Sequence, residues 1–248
     1  MQHNNIKAKQ IEQFAISQIL KHGFLFIDIP RTSSTSIRVE LGLTFGIPYS
    51  KKNTLDKKYS KPQIFRDHMP AKFLKARFGN KLWERIFVFT LVRNPWDRTY
   101  SMYNYRRKSG SIPANLGFRD YVIELNNSVK DKIENIARNL SIIDFLDLKK
   151  PGDGRITFNY APYYLSCSNY IYDNNGNKLV NYVGKYENRE HDLNVIAKKI
   201  GLNNLGNIHT QEASLSSHYS ENYDNETRDI ISFLYEDDIK NFNYEFGD

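Results

Sequence analysis

One cysteine, Cys167, in 248 residues leaves no second thiol for an intramolecular disulfide and excludes multi-cysteine zinc and iron–sulfur sites, so folding does not depend on an oxidising compartment. Apolar runs are short. None approaches the roughly 18 to 20 consecutive residues of a membrane helix, and the amino-terminal residues lead into an amphipathic pattern rather than a signal peptide's apolar stretch. Glycine and proline are sparse, 13 and 8 residues, which excludes collagen-like and low-complexity chains. The lone cysteine and the histidines show no ligand spacing, so no metal is expected. These absences read as a soluble, cytoplasmic protein.

What is present is a hydrophobic fraction of 40%, enough at this length to bury roughly 70–75% of the unfolded surface in one domain without staples. A formal net charge of +7 biases the surface toward anions: nucleic acid, nucleotides, phosphate or sulfate esters, acidic glycans. The basic residues are dispersed. Lys51, Lys52, Lys57 and Lys58 form the one dense cluster, a solvated loop or a polyanion contact.

Residues 24–29 form a short apolar run closed by Pro30, the pattern of a buried parallel strand. A hydroxyl-rich turn, Arg31, Thr32, Ser33, Ser34, Thr35 and Ser36, follows and leads into helical spacing at Ile37 and Leu41. The same grammar recurs at residues 86–92, a second strand, then Arg93, Asn94 and Pro95 at a first helical position, and a helix carrying Tyr100 and Tyr103 on one face. With a helical segment at 71–84 between them, the two units predict an α/β domain with a P-loop-like parallel sheet flanked by helices. Further helices are expected at 117–125, 141–148, 189–200 (ended by Gly201) and 225–241. Residues 160–172 read as extended and aromatic, and the Asn-Gly turn at 175–176 as a hairpin into 178–186. Residues 203–223 read as an ordered loop or lid. No repeat or domain boundary interrupts the chain, so 1–248 is expected to be a single domain, with 1–22 an amino-terminal helix or extension.

A loop that leaves a buried strand and enters a helix presents backbone N–H groups at the positive end of the helix dipole, which seats anions. At residues 31–36 that seat is ringed by hydroxyls and a guanidinium. A helix cap needs only one hydroxyl, so capping alone does not account for the composition. The turn lacks the glycines and terminal lysine of a nucleotide-kinase P-loop.

Four segments resemble the sulfotransferases that use 3′-phosphoadenosine 5′-phosphosulfate (PAPS), and within them the carbohydrate sulfotransferases of sulfotransferase family 2. Residues 26–36 are similar to the 5′-phosphosulfate loop I-P-K-T-x-x-T-S. Val92, Arg93, Asn94, Pro95, Arg98, Ser101 and Tyr103 match the 3′-phosphate motif V-R-N-P-x-x-R-x-x-S-x-Y. Val183, Gly184, Glu187, Asp192 and Leu193 resemble V-G-x-x-E-x-L-x-x-D-L. Tyr235, Asp238, Phe242 and Tyr244 resemble a closing Y-x-x-D-x-x-x-F-x-Y. The matches run in family order from residue 24 to the end of the chain. Two departures stand in the first: Arg31 replaces the usual Lys, and Ser33 and Ser34 replace glycines.

The resemblance implies an enzyme that moves a sulfuryl group from PAPS to a hydroxyl, most simply of a carbohydrate. It implies that Arg31, Thr32, Ser33, Ser34, Thr35 and Ser36 hold the 5′-phosphosulfate, that Arg31 compensates the bridging oxygen, and that Arg93 and Ser101 clamp the 3′-phosphate. A general base is expected between the two phosphate motifs. His68 is the candidate, Asp67 the reserve, and His209 and His218 in the presumed lid are further possibilities. In relatives a Gln often stands where this chain has residues 161–164, so acceptor contacts do not transfer. For Asn94, Asp97 and Arg98 the sequence favours structural roles in a cap and an ion pair. No nucleic-acid partner is expected. The rival readings are a nucleotide-dependent kinase of P-loop type and a non-catalytic polyanion-binding module.

Overall fold

The computed structural model describes residues 16–45, 68–139, 163–206 and 218–248. The expected segments at 141–148 and 51–58, and residues Asp67 and His209, lie outside them. The described residues gather into two compact units that interleave along the chain: one from 16–29, 33–45, 68–92 and 178–206, the other from 30–32, 93–139, 163–177 and 218–248.

The first unit holds a parallel sheet in the order β1 (Phe24–Phe26), β2 (Phe87–Val92), β3 (Tyr182–Lys185), the parallel α/β arrangement expected. Phe24 lies opposite Phe87, Phe26 opposite Phe89, and Thr90 opposite Val183. Alternation along β2 sends Phe87, Phe89 and Leu91 to one face. There they pack with Phe24, with Ile37 and Leu41 of α1 (Ser34–Phe45), and with Leu193, Ile196 and Ala197 of α7 (Arg189–Lys199). Beyond β1 the pairing continues, with Ile27 N–H donating to the Phe89 carbonyl at 2.9 Å and the Thr90 hydroxyl to the Ile27 carbonyl at 2.7 Å. Residues 27–29 therefore leave the sheet in a fixed direction. The expected helix at 71–84 is two helices, α2 (Ala71–Phe78) and α3 (Asn80–Trp83), because Gly79 takes φ 80° between them. Gly184 in β3 admits no side chain: a Cβ there would lie 2.8 Å from the Asp192 Cβ, whose carboxylate accepts the Lys185 N–H at 2.6 Å and the Tyr182 hydroxyl at 2.8 Å.

The second unit is helical: α4 (Pro95–Lys108), α5 (Phe118–Asn139), α6 (Cys167–Ile171), a 3₁₀ turn (Tyr219–Asn222), α8 (Asn225–Leu234) and α9 (Glu236–Phe242). Pro95 opens α4, with the Asn94 side chain accepting the Trp96 N–H at 3.1 Å, as the Asn-Pro pair predicts.

Several expectations are corrected. The helix expected at 117–125 runs on to Asn139. Within the stretch expected to be extended, Ser166 and Asn169 form a capping box and start α6, burying Cys167, Tyr170 and Ile171. The Asn-Gly turn forms, with Gly176 at φ 79° and the Asp173 carboxylate accepting N–H groups of Asn175 and Asn177. The turn closes on itself, with the Asp173 N–H donating to the Asn177 carbonyl at 3.0 Å, but the expected hairpin does not extend: residues 182–185 pair in parallel with β2, where Asn181 bonds Val88 with both its backbone and its side chain, each at 2.7 Å. The helix expected over 225–241 breaks at Tyr235, whose φ of −123° is not helical.

Candidate functional site

In the second unit, α4 and the residue pair before it fasten the short segment 30–32. The Arg98 Nε donates to the Pro30 carbonyl at 3.1 Å and the Arg93 Nη1 to the Arg31 carbonyl at 3.1 Å. The Arg31 side chain folds back, giving the Ser101 Oγ hydrogen bonds from Nε at 3.1 Å and Nη2 at 3.0 Å, and lies 4.8 Å over the Tyr105 ring. Arg31 holds φ 67°, a left-handed conformation that costs a side-chain-bearing residue roughly 1–2 kcal/mol. Its grip by Arg93, Ser101 and Tyr105 explains how that conformation persists.

Arg93 is buried and forms a two-pronged pair with Asp97, at 2.6 Å from Nε and 2.8 Å from Nη2. The structure thus brings Arg31, Arg93 and Ser101 together, but the hydroxyl of Ser101 serves Arg31. Arg98, which the sequence left as an internal ion pair, lies 3.9 Å from Asp238 and also donates to the Leu165 carbonyl at 2.8 Å. Asp238, fully buried, accepts the N–H groups of Cys167 and Ser168 at 2.7 Å each. Burial lowers the Arg98 basicity, yet the neighbouring Cys167, Tyr235 and Asp238 outweigh it and raise the guanidinium's pKa.

In the first unit, Ser33 through Ser36 lead into α1. The first intrahelical bond, Ile37 N–H to the Ser33 carbonyl, measures 3.2 Å, so the N–H groups before it form the positive end of the helix. No acidic residue occupies that first turn. Ser33 holds φ 69°, the conformation a glycine would adopt at no cost; a serine meets this turn's geometry where the family pattern has glycine. One of the turn's hydroxyls is engaged by a side chain the sequence reading missed. The Ser33 Oγ accepts from the Arg189 Nε at 2.9 Å, and the Ser34 hydroxyl lies near enough to Asp28 to help lower its carboxyl. Arg189 stands at the Leu of the V-G-x-x-E-x-L pattern, which is the sequence signal that was there to be found.

Asp28 is the centre of a second cluster in this unit. Its carboxylate lies 2.6 Å from the Arg38 Nη1 and 3.2 Å from the His68 Nδ1. Both Asp28 and His68 are 8% exposed. Burial by itself raises the Asp28 carboxyl, but the charges of His68 and Arg38, helped by the polar groups of His68 and Ser34 beside it, prevail and hold it well below the usual carboxylate range. His68 takes φ 70°. Of the four non-glycine residues with positive φ among those described, three are Arg31, Ser33 and His68; strained backbone of this kind collects at functional sites. His218, the described lid histidine, is exposed and pairs with the Ser220 hydroxyl at 2.7 Å.

The start of α1 and the buried His68–Asp28 pair lie in the same unit. The model of the sulfotransferase family matches residues 16–245, and the chain belongs to that family, whose members move a sulfuryl group. It is similar to an uncharacterized protein of Archaeoglobus fulgidus, 29% identical over 134 residues that span 54% of this chain and 83% of that one. No solved structure matches. Among the described residues no helix is long and apolar enough to cross a membrane, and no group of three or more His, Cys, Asp or Glu is placed to hold a metal ion.

Proposed function

We propose that this protein transfers a sulfuryl group from PAPS to a hydroxyl of a carbohydrate. The observation that carries the reading is Asp28: one buried carboxylate pairs with both Arg38, in α1, and the imidazole of His68. A basic side chain and an anion seat are thereby organised by a single group. The donor chemistry of residues 31–36, hydroxyls and a helix amino terminus with a cation, suits phosphate and sulfate oxygens.

PAPS, when bound, supplies the sulfuryl group and retains the electron pair of the broken S–O bond on its 5′-phosphate. Arg31 and the hydroxyls of Thr32, Ser33, Ser34, Thr35 and Ser36 hold the 5′-phosphosulfate, and Arg31 offsets charge developing on the bridging oxygen. Arg93 and Ser101 hold the 3′-phosphate. His68 removes the proton of the acceptor hydroxyl, so that the oxygen attacks as a nucleophile. The net charge of +7 favours an acidic glycan as acceptor.

Ligand-dependent melting tests the nucleotide. At about 100 times its dissociation constant, 3′-phosphoadenosine 5′-phosphate should add roughly 2.7 kcal/mol to the folded state, while ATP with magnesium adds far less. Equal shifts from both would favour a kinase, and no shift from either the polyanion-binding module. A screen of glycans with labelled PAPS identifies the acceptor. His68→Ala should lower kcat by about 10²- to 10⁴-fold with nucleotide affinity kept within a few-fold.

A further inference from the structure

The geometry points to Asp28 as a positioning residue that fixes the tautomer of His68, keeping the proton on Nδ1 and presenting Nε2 as the basic nitrogen. This rests on the reading of His68 as the base and names what orients it.

The Nδ1 of His68 faces two oxygens, the Asp28 Oδ1 at 3.2 Å and the Asp28 backbone carbonyl at 3.3 Å. Neither oxygen can donate, since one is a carbonyl and the other belongs to a carboxylate paired with Arg38 at 2.6 Å. An unprotonated Nδ1 would set its lone pair against both, so the neutral ring carries its hydrogen there and its lone pair on Nε2.

The cluster is built to keep this orientation. Asp28 follows β1 by two residues, where bonds from Ile27 and Thr90 hold the backbone to β2. Arg38 reaches the carboxylate from α1, its Nη1 2.6 Å from Oδ2. The left-handed backbone at His68, φ 70°, immediately precedes Met69 and Ala71, which are buried at 3% and 0% exposure. The ring is thus anchored from behind by packing and in front by Asp28. When His68 Nε2 takes the acceptor's proton, the Nδ1 hydrogen stays on the ring, and Asp28 remains ionised beside the imidazolium it stabilises. Arg38 balances the carboxylate throughout, so the contribution of Asp28 is orientation and tautomer more than added basicity.

The tautomer is read on the parent protein by ¹⁵N-resolved NMR of the His68 ring at a pH where it is neutral. The expected pattern is a protonated Nδ1 and an unprotonated Nε2; a protonated Nε2 overturns the inference, and this measurement needs no variant that folds. Turnover supplies the second arm. Asp28→Asn should lower kcat at least about tenfold, with nucleotide affinity changed less than kcat, and weaken the tautomer preference that the Asp28 backbone carbonyl still favours, while Asp28→Glu should restore part of both effects. Parental kcat in Asp28→Asn beside an inactive His68→Ala removes Asp28 from the reaction and leaves the base standing. Parental kcat in His68→Ala rejects the base itself, and with it any catalytic part for Asp28.

Discussion

Arg31 gives both Nε and Nη2 to the hydroxyl of Ser101, 70 positions along the chain, at 3.1 and 3.0 Å. The residue at the lysine position of the I-P-K-T-like segment and the serine of the V-R-N-P-like segment are therefore coupled directly. The planar fork of arginine makes this possible: a single ammonium would not present two parallel donors to one oxygen.

That coupling should appear in binding. In a double-mutant cycle of Arg31→Ala and Ser101→Ala, the two losses in affinity for 3′-phosphoadenosine 5′-phosphate should fall short of additivity by about 1 kcal/mol or more. Calorimetric titration of the four proteins measures it. Strictly additive losses would mean that the two side chains act independently.

The ion pair of Arg93 and its proposed contact with the nucleotide can be separated by substitution. Arg93→Ala removes a partner of Asp97 and of the Arg31 carbonyl, and should weaken nucleotide binding by about 2–4 kcal/mol. Asp97→Ala breaks the same ion pair but keeps the guanidinium, and should lower Tm while weakening binding much less. If both variants bind the nucleotide like the parent, Arg93 does not read the 3′-phosphate.

Ser33 sits at φ 69° with its hydroxyl on Arg189. Ser33→Ala loses the hydrogen bond and keeps the strain; Ser33→Gly loses the bond and relieves the strain. The glycine variant should be the more stable of the two by about 1 kcal/mol, as judged by urea unfolding. The reverse order would show that the loop is not held in the left-handed region.

Asp28 sets a pH dependence of stability. Its carboxyl titrates lower in the folded protein than in the unfolded chain, so it contributes stability that is present above the unfolded value of about 3.9 and is lost as pH falls from there toward the folded value. Urea unfolding at a series of pH values below about 5 should show the parent losing stability more steeply than Asp28→Asn. Equal slopes would place the Asp28 carboxyl at its ordinary value.

The segments that carry the family resemblance divide into two kinds of work. Tyr235, Asp238, Phe242 and Tyr244 are buried, with Asp238 tying the start of α6 to Arg98; Gly184 and Asp192 shape the turn out of β3. These are scaffold. The first two segments supply the groups proposed to meet the nucleotide.

The sequence by itself determined the two strands and the helix starts at Pro95 and near Ser34, because apolar runs, Asn-Pro pairs and hydroxyl-rich turns act over a few neighbouring positions; its resemblance to a family named Arg31, Arg93, Ser101 and His68 as candidates. Tertiary structure alone decided that Ser101 serves Arg31, that Arg189 reaches Ser33, and that Asp28 joins Arg38 and His68. It also turned 182–185 into a parallel strand and 167–171 into a helix. Each of these outcomes depends on partners tens of positions away, or on burial that sets one backbone hydrogen bond against another, and no local pattern encodes which distant group will arrive.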